Sequence, residues 1–330
     1  MVKPRKEGAA RRRAATISLY ATSWVVLTAL APAWVPLAWI LGLFRQRSFI
    51  VLRLLAFGWF YFGFEMFALL RVAFHWTRLR YDETRCFPRI VSLQTWWATT
   101  VLTVACRMLR LEVSVEGAEV ATRGPAILLI RHASILDTLL PCVYLQRATQ
   151  WQVRYILKQE LLVDPCLDVV GHILPNYFVD RTGNTAVELQ GIRDLVTDLG
   201  TDGVLIYPEG TRFSPKKRER ALARVAREMP AFAAQAETLV GVLPPKPGGV
   251  LTLLEELPDV DCVFVAHTGL EHFATVRDLL SGSVVGSRVQ IRVWRVSSDQ
   301  VPRDKDDALR WLFGQWGRVS EWVCQGSAVR

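Results

Sequence analysis

Apolar and polar positions follow two different rhythms along the chain, and the change comes near residue 110. Residues 14–44 carry no charge over 31 positions, more than the roughly 20 needed to cross a bilayer. Pro32 and Pro36 interrupt this run and predict a kink or a re-entrant path. The run is too long for a signal peptide, and no small-residue cleavage site follows it. After a basic break at Arg45 and Arg47, residues 48–74 form a second apolar stretch containing Phe60, Phe62, Phe64 and Phe67. Arg53 and Arg71 are expected to carry their charges to the interface, and Glu65 to face protein or the interface, because an isolated charge in lipid is costly. Residues 93–106 form a third apolar piece. It is too short to span comfortably and reads as an interfacial helix or as the first buried helix of the next domain.

Beyond residue 110, short β-rich runs alternate with helical patterns. Strands are predicted at 111–116, 126–130, 152–157, 177–179, 204–207, 262–266 and 289–296. Between them, Ile192, Leu195, Val196 and Leu199 keep the spacing of one buried helix face within 184–199. The fold class is therefore α/β, a mixed central sheet flanked by helices, preceded by an N-terminal membrane-embedded helical pair. The domain organisation is a basic cytosolic tail over 1–15, a membrane-anchoring helical hairpin over 16–80 and an α/β domain over 81–330. The hairpin can span the bilayer or dip into one leaflet; the charge pattern fits both. Residues 214–250, rich in charge and then in Pro and Gly, read as the most mobile segment.

Composition adds two constraints. The net charge of +9 points to an anionic partner. Twelve Trp favour a membrane surface over nucleic acid, since indole rings settle at the headgroup level. No nucleic-acid recognition motif is present. The six cysteines, Cys86, Cys106, Cys142, Cys166, Cys262 and Cys324, form no CxxC pair and no metal-like spacing with His. They read as reduced, cytosol-facing thiols, several of them in core positions.

Three segments can carry chemistry, and each follows a predicted strand, where a rigid sheet fixes loop geometry. In the first, His132 can act as a general base and Asp137 can hold its tautomer, as the acid does in a triad. The bland reading is a structural histidine with a helix-start aspartate. In the second, Tyr177 to Arg181, a strand ends in the charged pair Asp180 and Arg181. The third is Tyr207-Pro208-Glu209-Gly210-Thr211-Arg212. There Gly210 permits a tight turn and close backbone approach. Arg212 has the fork suited to phosphate and Thr211 a hydroxyl donor, while Glu209 can orient an arginine or accept from a substrate hydroxyl. Lys158 ends a further strand. Standing alone, each of these cations reads first as a solvated charge.

Taken in order, these motifs resemble the glycerolipid acyltransferase family, specifically its 1-acyl-glycerol-3-phosphate (lysophosphatidate) acyltransferases. His132 and Asp137 match the family's His-x-x-x-x-Asp, Phe178 and Arg181 its Phe-x-x-Arg, and Pro208 to Arg212 its Pro-Glu-Gly-Thr-Arg. The stretch from Lys158 to Leu161 is similar to the family's basic element between the first two. Arg131 departs from the Asn common before the histidine, and Pro175 from the Gly that often opens the second motif. Leu243 to Gly249 is similar to a Leu-Pro-Pro-basic element of one branch, where Lys246 can serve an anionic headgroup or a plain turn.

The resemblance implies transfer of a fatty acyl group from acyl-CoA or acyl carrier protein to the free hydroxyl of 1-acyl-glycerol-3-phosphate, giving phosphatidic acid. His132 and Asp137 are the expected catalytic residues, and Lys158, Arg181, Glu209, Gly210, Thr211 and Arg212 the expected substrate-binding residues. No metal and no bound cofactor are implied, and the thioester is a co-substrate. The implied location is the membrane, with the catalytic domain on the cytoplasmic side. Three alternatives stand beside this. One is an acyltransferase for another lysophospholipid or lipid acceptor. Another is a membrane-bound thioesterase or hydrolase using Ser134, although no Gly-x-Ser-x-Gly elbow is present. The last is a non-catalytic lipid-binding scaffold.

Overall fold

The structure is a computed structural model that describes residues 8–45, 49–80, 82–134, 136–146, 152–180, 184–273 and 276–328. The chain divides into two compact units. The first comprises Met1–Leu111, Leu157–Arg181 and Val276–Ser287; the second comprises Glu112–Ile156, Thr182–Thr275 and Arg288–Arg330.

The first unit is helical. It contains α1 (Ala9–Ala29), α2 (Ala31–Arg45), α3 (Ile50–Arg78), α4 (Glu83–Leu109), α5 (Pro165–Ile173) and α10 (Val276–Ser281), with the short strand β4 (Tyr177–Val179). The 29 residues of α3 make it long and apolar enough to cross a membrane. At about 1.5 Å per residue it exceeds the ~30 Å hydrocarbon core. The α1–α2 pair passes the same test only when taken together and is bent by 72°. The break falls at Leu30, just before Pro32, whose ring removes an N–H. Asp82 starts α4 by accepting from Arg85 N (3.2 Å), and Asp164 starts α5 by accepting from Leu167 N (2.8 Å), with Pro165 in the first turn.

Charges within α3 are absorbed by protein. Glu65 is fully buried; its carboxylate accepts from Trp97 Nε1 (2.6 Å) and Cys166 N (3.1 Å). It therefore faces protein, one of the two settings expected of it. The arginines also have partners within the protein. Arg53 donates to the Met108 carbonyl, and the Arg71 guanidinium lies 4.7 Å from the Trp96 ring centre. A helix neighbour supplies each with an acceptor or a π-face, so neither depends on reaching the interface alone.

The second unit holds six of the seven strands of the mixed sheet. They are β1 (Glu112–Glu116), β2 (Ala126–Ile130), β3 (Val153–Lys158), β5 (Gly203–Ile206), β6 (Asp261–Thr268) and β7 (Arg288–Val296), in the order β1-β7-β6-β2-β5-β3. Neighbours run parallel except β6 and β7. Every residue of β2 is buried, which explains its unbroken apolar run: a central parallel strand is covered on both faces. The helices of this unit are α6 (Thr185–Val196), α7 (Pro215–Glu228), α8 (Ala233–Thr238), α9 (Pro247–Glu256) and α11 (Lys305–Ala328). Asn184 and Ser214 cap α6 and α7 through Ala186 N and Lys217 N.

All seven predicted strands are present, with ends shifted by at most two residues. The segment 214–250, expected to be mobile, contains three helical starts: Pro215, Ala233 and Pro247 open α7, α8 and α9. Lys216, Glu219, Arg220, Arg227 and Glu228 of α7 are exposed, while Val225, Ala236, Leu239, Val242 and Leu243 are buried. Four cysteines, Cys86, Cys142, Cys166 and Cys262, are buried, and all six are free thiols.

Candidate active site

The register of β2 decides where the motifs meet. Leu129 pairs with Ile206 of β5 on one side, and Ile130 pairs with Val265 of β6 on the other. All three strands run the same way. Their following residues, Arg131-His132 after β2 and Tyr207-Pro208-Glu209 after β5, therefore leave the sheet at one edge, beside Ala266 and His267 near the carboxyl end of β6. Carboxyl ends of parallel strands are where open α/β sheets place ligands.

Asp137 is fully buried and turns its carboxylate back on the start of its own loop. It accepts from Ala133 N and Ser134 N, each at 2.8 Å, and faces His132 Nδ1 at 3.1 Å. Burial pulls this carboxyl upward, but the neighbouring His132 and His267 outweigh it and hold Asp137 below the usual carboxylate range. An ionised Asp137 accepts from Nδ1–H, which leaves Nε2 as the basic nitrogen of His132. The ring of His132 packs on Tyr207, with centroids 4.4 Å apart. Ser134 Oγ is buried and accepts from Leu136 N (3.1 Å). It is a structural hydroxyl of the turn.

The first and third motifs are stitched through the backbone of His132. Its N–H donates to Glu209 Oε1 (2.8 Å), and its carbonyl accepts from Phe213 N (2.9 Å). The other Glu209 oxygen accepts from Leu243 N (2.8 Å). Glu209 is thus buried with both oxygens on backbone N–H groups, not turned toward Arg212 or toward a substrate as expected. Burial pushes it up to about 8, against those two bonds and the nearby Arg131 charge.

Between the anchors, Gly210 takes φ +65° and donates to Tyr207 O (2.8 Å), closing the turn. The stem of Lys246 packs over Gly210; a Cβ there would come within 3.1 Å of it. Thr211 and Arg212 are half-buried. Among the described residues the Arg212 guanidinium has no hydrogen-bond or ion-pair partner. Lys158 ends β3 and is half-buried in the first unit, and Arg181 lies outside the described residues.

Two residues complete the site that the motifs do not indicate. Arg131 is 1% exposed and points into the protein. Its guanidinium donates to Gly241 O (2.6 Å), to the His267 carbonyl and to Glu271 Oε1 (2.5 Å). Its departure from the common Asn therefore serves packing beneath the site. His267, on β6, is also fully buried. Its Nε2 lies 2.9 Å from the Arg131 carbonyl and so carries the proton; the same nitrogen is 3.6 Å from Asp137 Oδ2. Residues 131 and 267 thus hold each other by main chain and side chain at once. A lone His inside an apolar strand gives no sequence signal for this. The fully apolar β2 running straight into Arg131 was the one available hint.

Comparison with known proteins places this geometry in a class. The acyltransferase family profile matches residues 112–279, just over half of the chain, and the chain belongs to that family. Among solved structures it is similar to the 1-acyl-sn-glycerophosphate acyltransferase PlsC of Thermotoga maritima, with 18% identity and a TM-score of 0.49 over 79% of this chain and 88% of that one. No curated protein sequence matches it.

Two predictions follow from the geometry. Native Glu209 keeps its proton up to about 8, whereas the unfolded chain releases it near 4.5. Its contribution to stability is complete below the lower value and fades as pH rises to the upper one. Glu209→Gln removes that slope and one N–H acceptor, at a cost of about 1–3 kcal/mol. Melting temperatures across this range should show the gap between wild type and variant narrowing as pH rises; a constant gap would mean Glu209 is ionised throughout. For His267, the Phe variant should lower kcat for acyl transfer by up to about 100-fold with KM little changed, since small misplacements of a base cost that much. His267→Gln, which restores an N–H near Nε2, should recover part of the loss. Equal loss in both variants would assign His267 to packing alone.

Proposed function

We propose that the chain transfers a fatty acyl group from an acyl-CoA, or acyl carrier protein, thioester to the free hydroxyl of 1-acyl-glycerol-3-phosphate. The observation that carries this reading is the His132–Asp137 pair, at 3.1 Å, on the loop bonded to the Pro208–Arg212 segment. His132 Nε2 takes the proton of the acceptor hydroxyl as its oxygen attacks the thioester carbonyl. Asp137 stabilises the imidazolium. The tetrahedral adduct collapses, the carbon–sulfur bond breaks, and the imidazolium returns its proton to the leaving thiolate. The products are phosphatidic acid and a free thiol. The chemistry needs no protein nucleophile, metal or bound cofactor, consistent with a Ser134 hydroxyl already engaged in its turn.

Arg212 is the binding group best supported for the acceptor phosphate, with Thr211 beside it and Gly210 shaping the turn. Glu209 acts through the backbone it holds. Lys158 and Arg181 are proposed as further phosphate ligands from the motif match. Both substrates carry long acyl chains, and α3 supports a membrane location for the protein. The cluster Lys3, Arg5, Lys6, Arg11, Arg12 and Arg13 favours a cytoplasmic side for the catalytic part.

The deciding experiment follows free thiol release by detergent-purified protein with acyl-CoA across a panel of acceptors. Release should depend on 1-acyl-glycerol-3-phosphate and fall by roughly 10²–10⁴-fold in His132→Ala. Release without any acceptor would make the protein a thioesterase, and full activity in His132→Ala would remove the base assignment. In the same assay Arg212→Ala should raise KM for phosphate-bearing acceptors roughly tenfold or more, the scale of a lost charged hydrogen bond. An unchanged KM would place the phosphate elsewhere.

A further inference from the structure

A second apolar site lies wholly within the first unit, built by α1, α3 and α5. It is a groove of about 1220 Å³ whose walls include Ile17 and Trp24 of α1, Leu69 and Trp76 of α3, and Ile173 of α5. Its volume exceeds the roughly 300–1,000 Å³ of an ordinary small-molecule pocket, and its walls are overwhelmingly apolar. Both features suit long hydrocarbon chains. Trp24 is set into the wall by Gly63, where a Cβ would come within 2.5 Å of the indole nitrogen.

One end of the groove is cationic. Arg13 and His172 line it. Arg12 and Arg13 both bind the fully buried carboxylate of Asp168, with Nε–oxygen distances of 2.8 and 3.1 Å, and His172 Nδ1 lies 3.1 Å from the same carboxylate. One carboxylate cannot neutralise two guanidinium groups, and the exposed Arg11 adds a third at the same helix start. About a third of each of the Arg12 and Arg13 side chains remains accessible. Asp168 therefore fixes the guanidinium forks in place and leaves excess positive charge at the groove's mouth.

We propose that this groove holds an anionic phospholipid drawn from the surrounding bilayer, its acyl chains along the walls of α1 and α3 and its phosphate at Arg12 and Arg13. An empty apolar groove of this size would forfeit dispersion contacts along its whole lining, and a lipid chain restores them. Charge complementarity selects the headgroup, as basic residues do at anionic membrane surfaces. The inference rests on the membrane reading above but not on the acyl-transfer reading.

The test is a count and typing of bound lipid. The full chain is reconstituted with equal amounts of phosphatidylglycerol and phosphatidylcholine, re-extracted in mild detergent and washed. Retained phospholipid is then measured by phosphorus assay and mass spectrometry. Wild type should keep phospholipid through washing, enriched in phosphatidylglycerol over the supplied mixture. Ala21→Phe, which fills the groove toward its Trp24 end and away from the arginines, should lose it. Arg13→Gln should keep lipid but reduce the preference for phosphatidylglycerol roughly fivefold. No retained lipid in wild type, a retained composition equal to that supplied, or undiminished retention in a folded filled variant would overturn the proposal. Carbonate extraction of cell membranes judges the membrane reading separately: release of the chain would sink that reading, while the lipid count still decides the groove.

Discussion

Glu209 has both carboxyl oxygens committed to backbone N–H groups, one at His132 and one at Leu243. Much of the candidate site follows from that commitment. A buried carboxyl in this position is costly unless both oxygens are satisfied, so the loop after β2, the turn after β5 and the segment near residue 243 must keep their mutual distances. The bond from Phe213 N to the His132 carbonyl closes the same ring from the other side. His132 is consequently held by its main chain before its side chain does anything. Asp137 then has only to set the tautomer and orientation of a ring whose root is already fixed.

The segment around residue 241 is the third member of this assembly. It is gripped from two further directions. The Arg131 guanidinium binds the Gly241 carbonyl, while on α11 Ser320 Oγ bonds both N and O of Val240 and Trp316 Nε1 donates to Leu243 O (3.0 Å). Trp316 is fully buried, so this tie is anchored in the core. The Leu-Pro-Pro-Lys stretch that follows is therefore a strap across the Pro208–Arg212 turn, tied to it by Lys246 N to Pro208 O (2.7 Å). Support of this kind lets a half-buried turn present Arg212 in a defined place although its guanidinium has no hydrogen bond among the described residues.

The strands were legible in the sequence as unbroken apolar runs where both faces are buried, as in β2 and β5, and as alternating polar and apolar runs in β1 and β7. His132, Asp137 and Arg212 stood out by residue type and spacing, and the structure brings His132 and Asp137 to 3.1 Å. Arg131, His267 and the true partners of Glu209 did not stand out. Their roles depend on which strands become neighbours, and the order β6-β2-β5 brings together residues separated by 77 and 136 positions. The charged helix α7 was not anticipated within 214–250 for a related reason: only a narrow stripe containing Ala221 and Val225 is buried, and the abundant surface charge masks it.

The same physical device recurs in the first unit, where no chemistry is proposed for it. Glu65 accepts from Cys166 N at the start of α5, and Asp164 accepts from Leu167 N one residue further on, while Tyr61 donates to Asp164 and Trp97 to Glu65. Apolar packing alone would let α3 rotate or slide against α4 and α5 with little penalty, since one aromatic or aliphatic contact replaces another. A buried carboxylate removes that freedom, because any other rotation leaves it, the indole N–H and the backbone N–H unsatisfied at once. Glu65 thus fixes the face that α3 turns to α4 and α5. By doing so it leaves Leu69, Val72, Ala73 and Trp76 on the side where the groove opens.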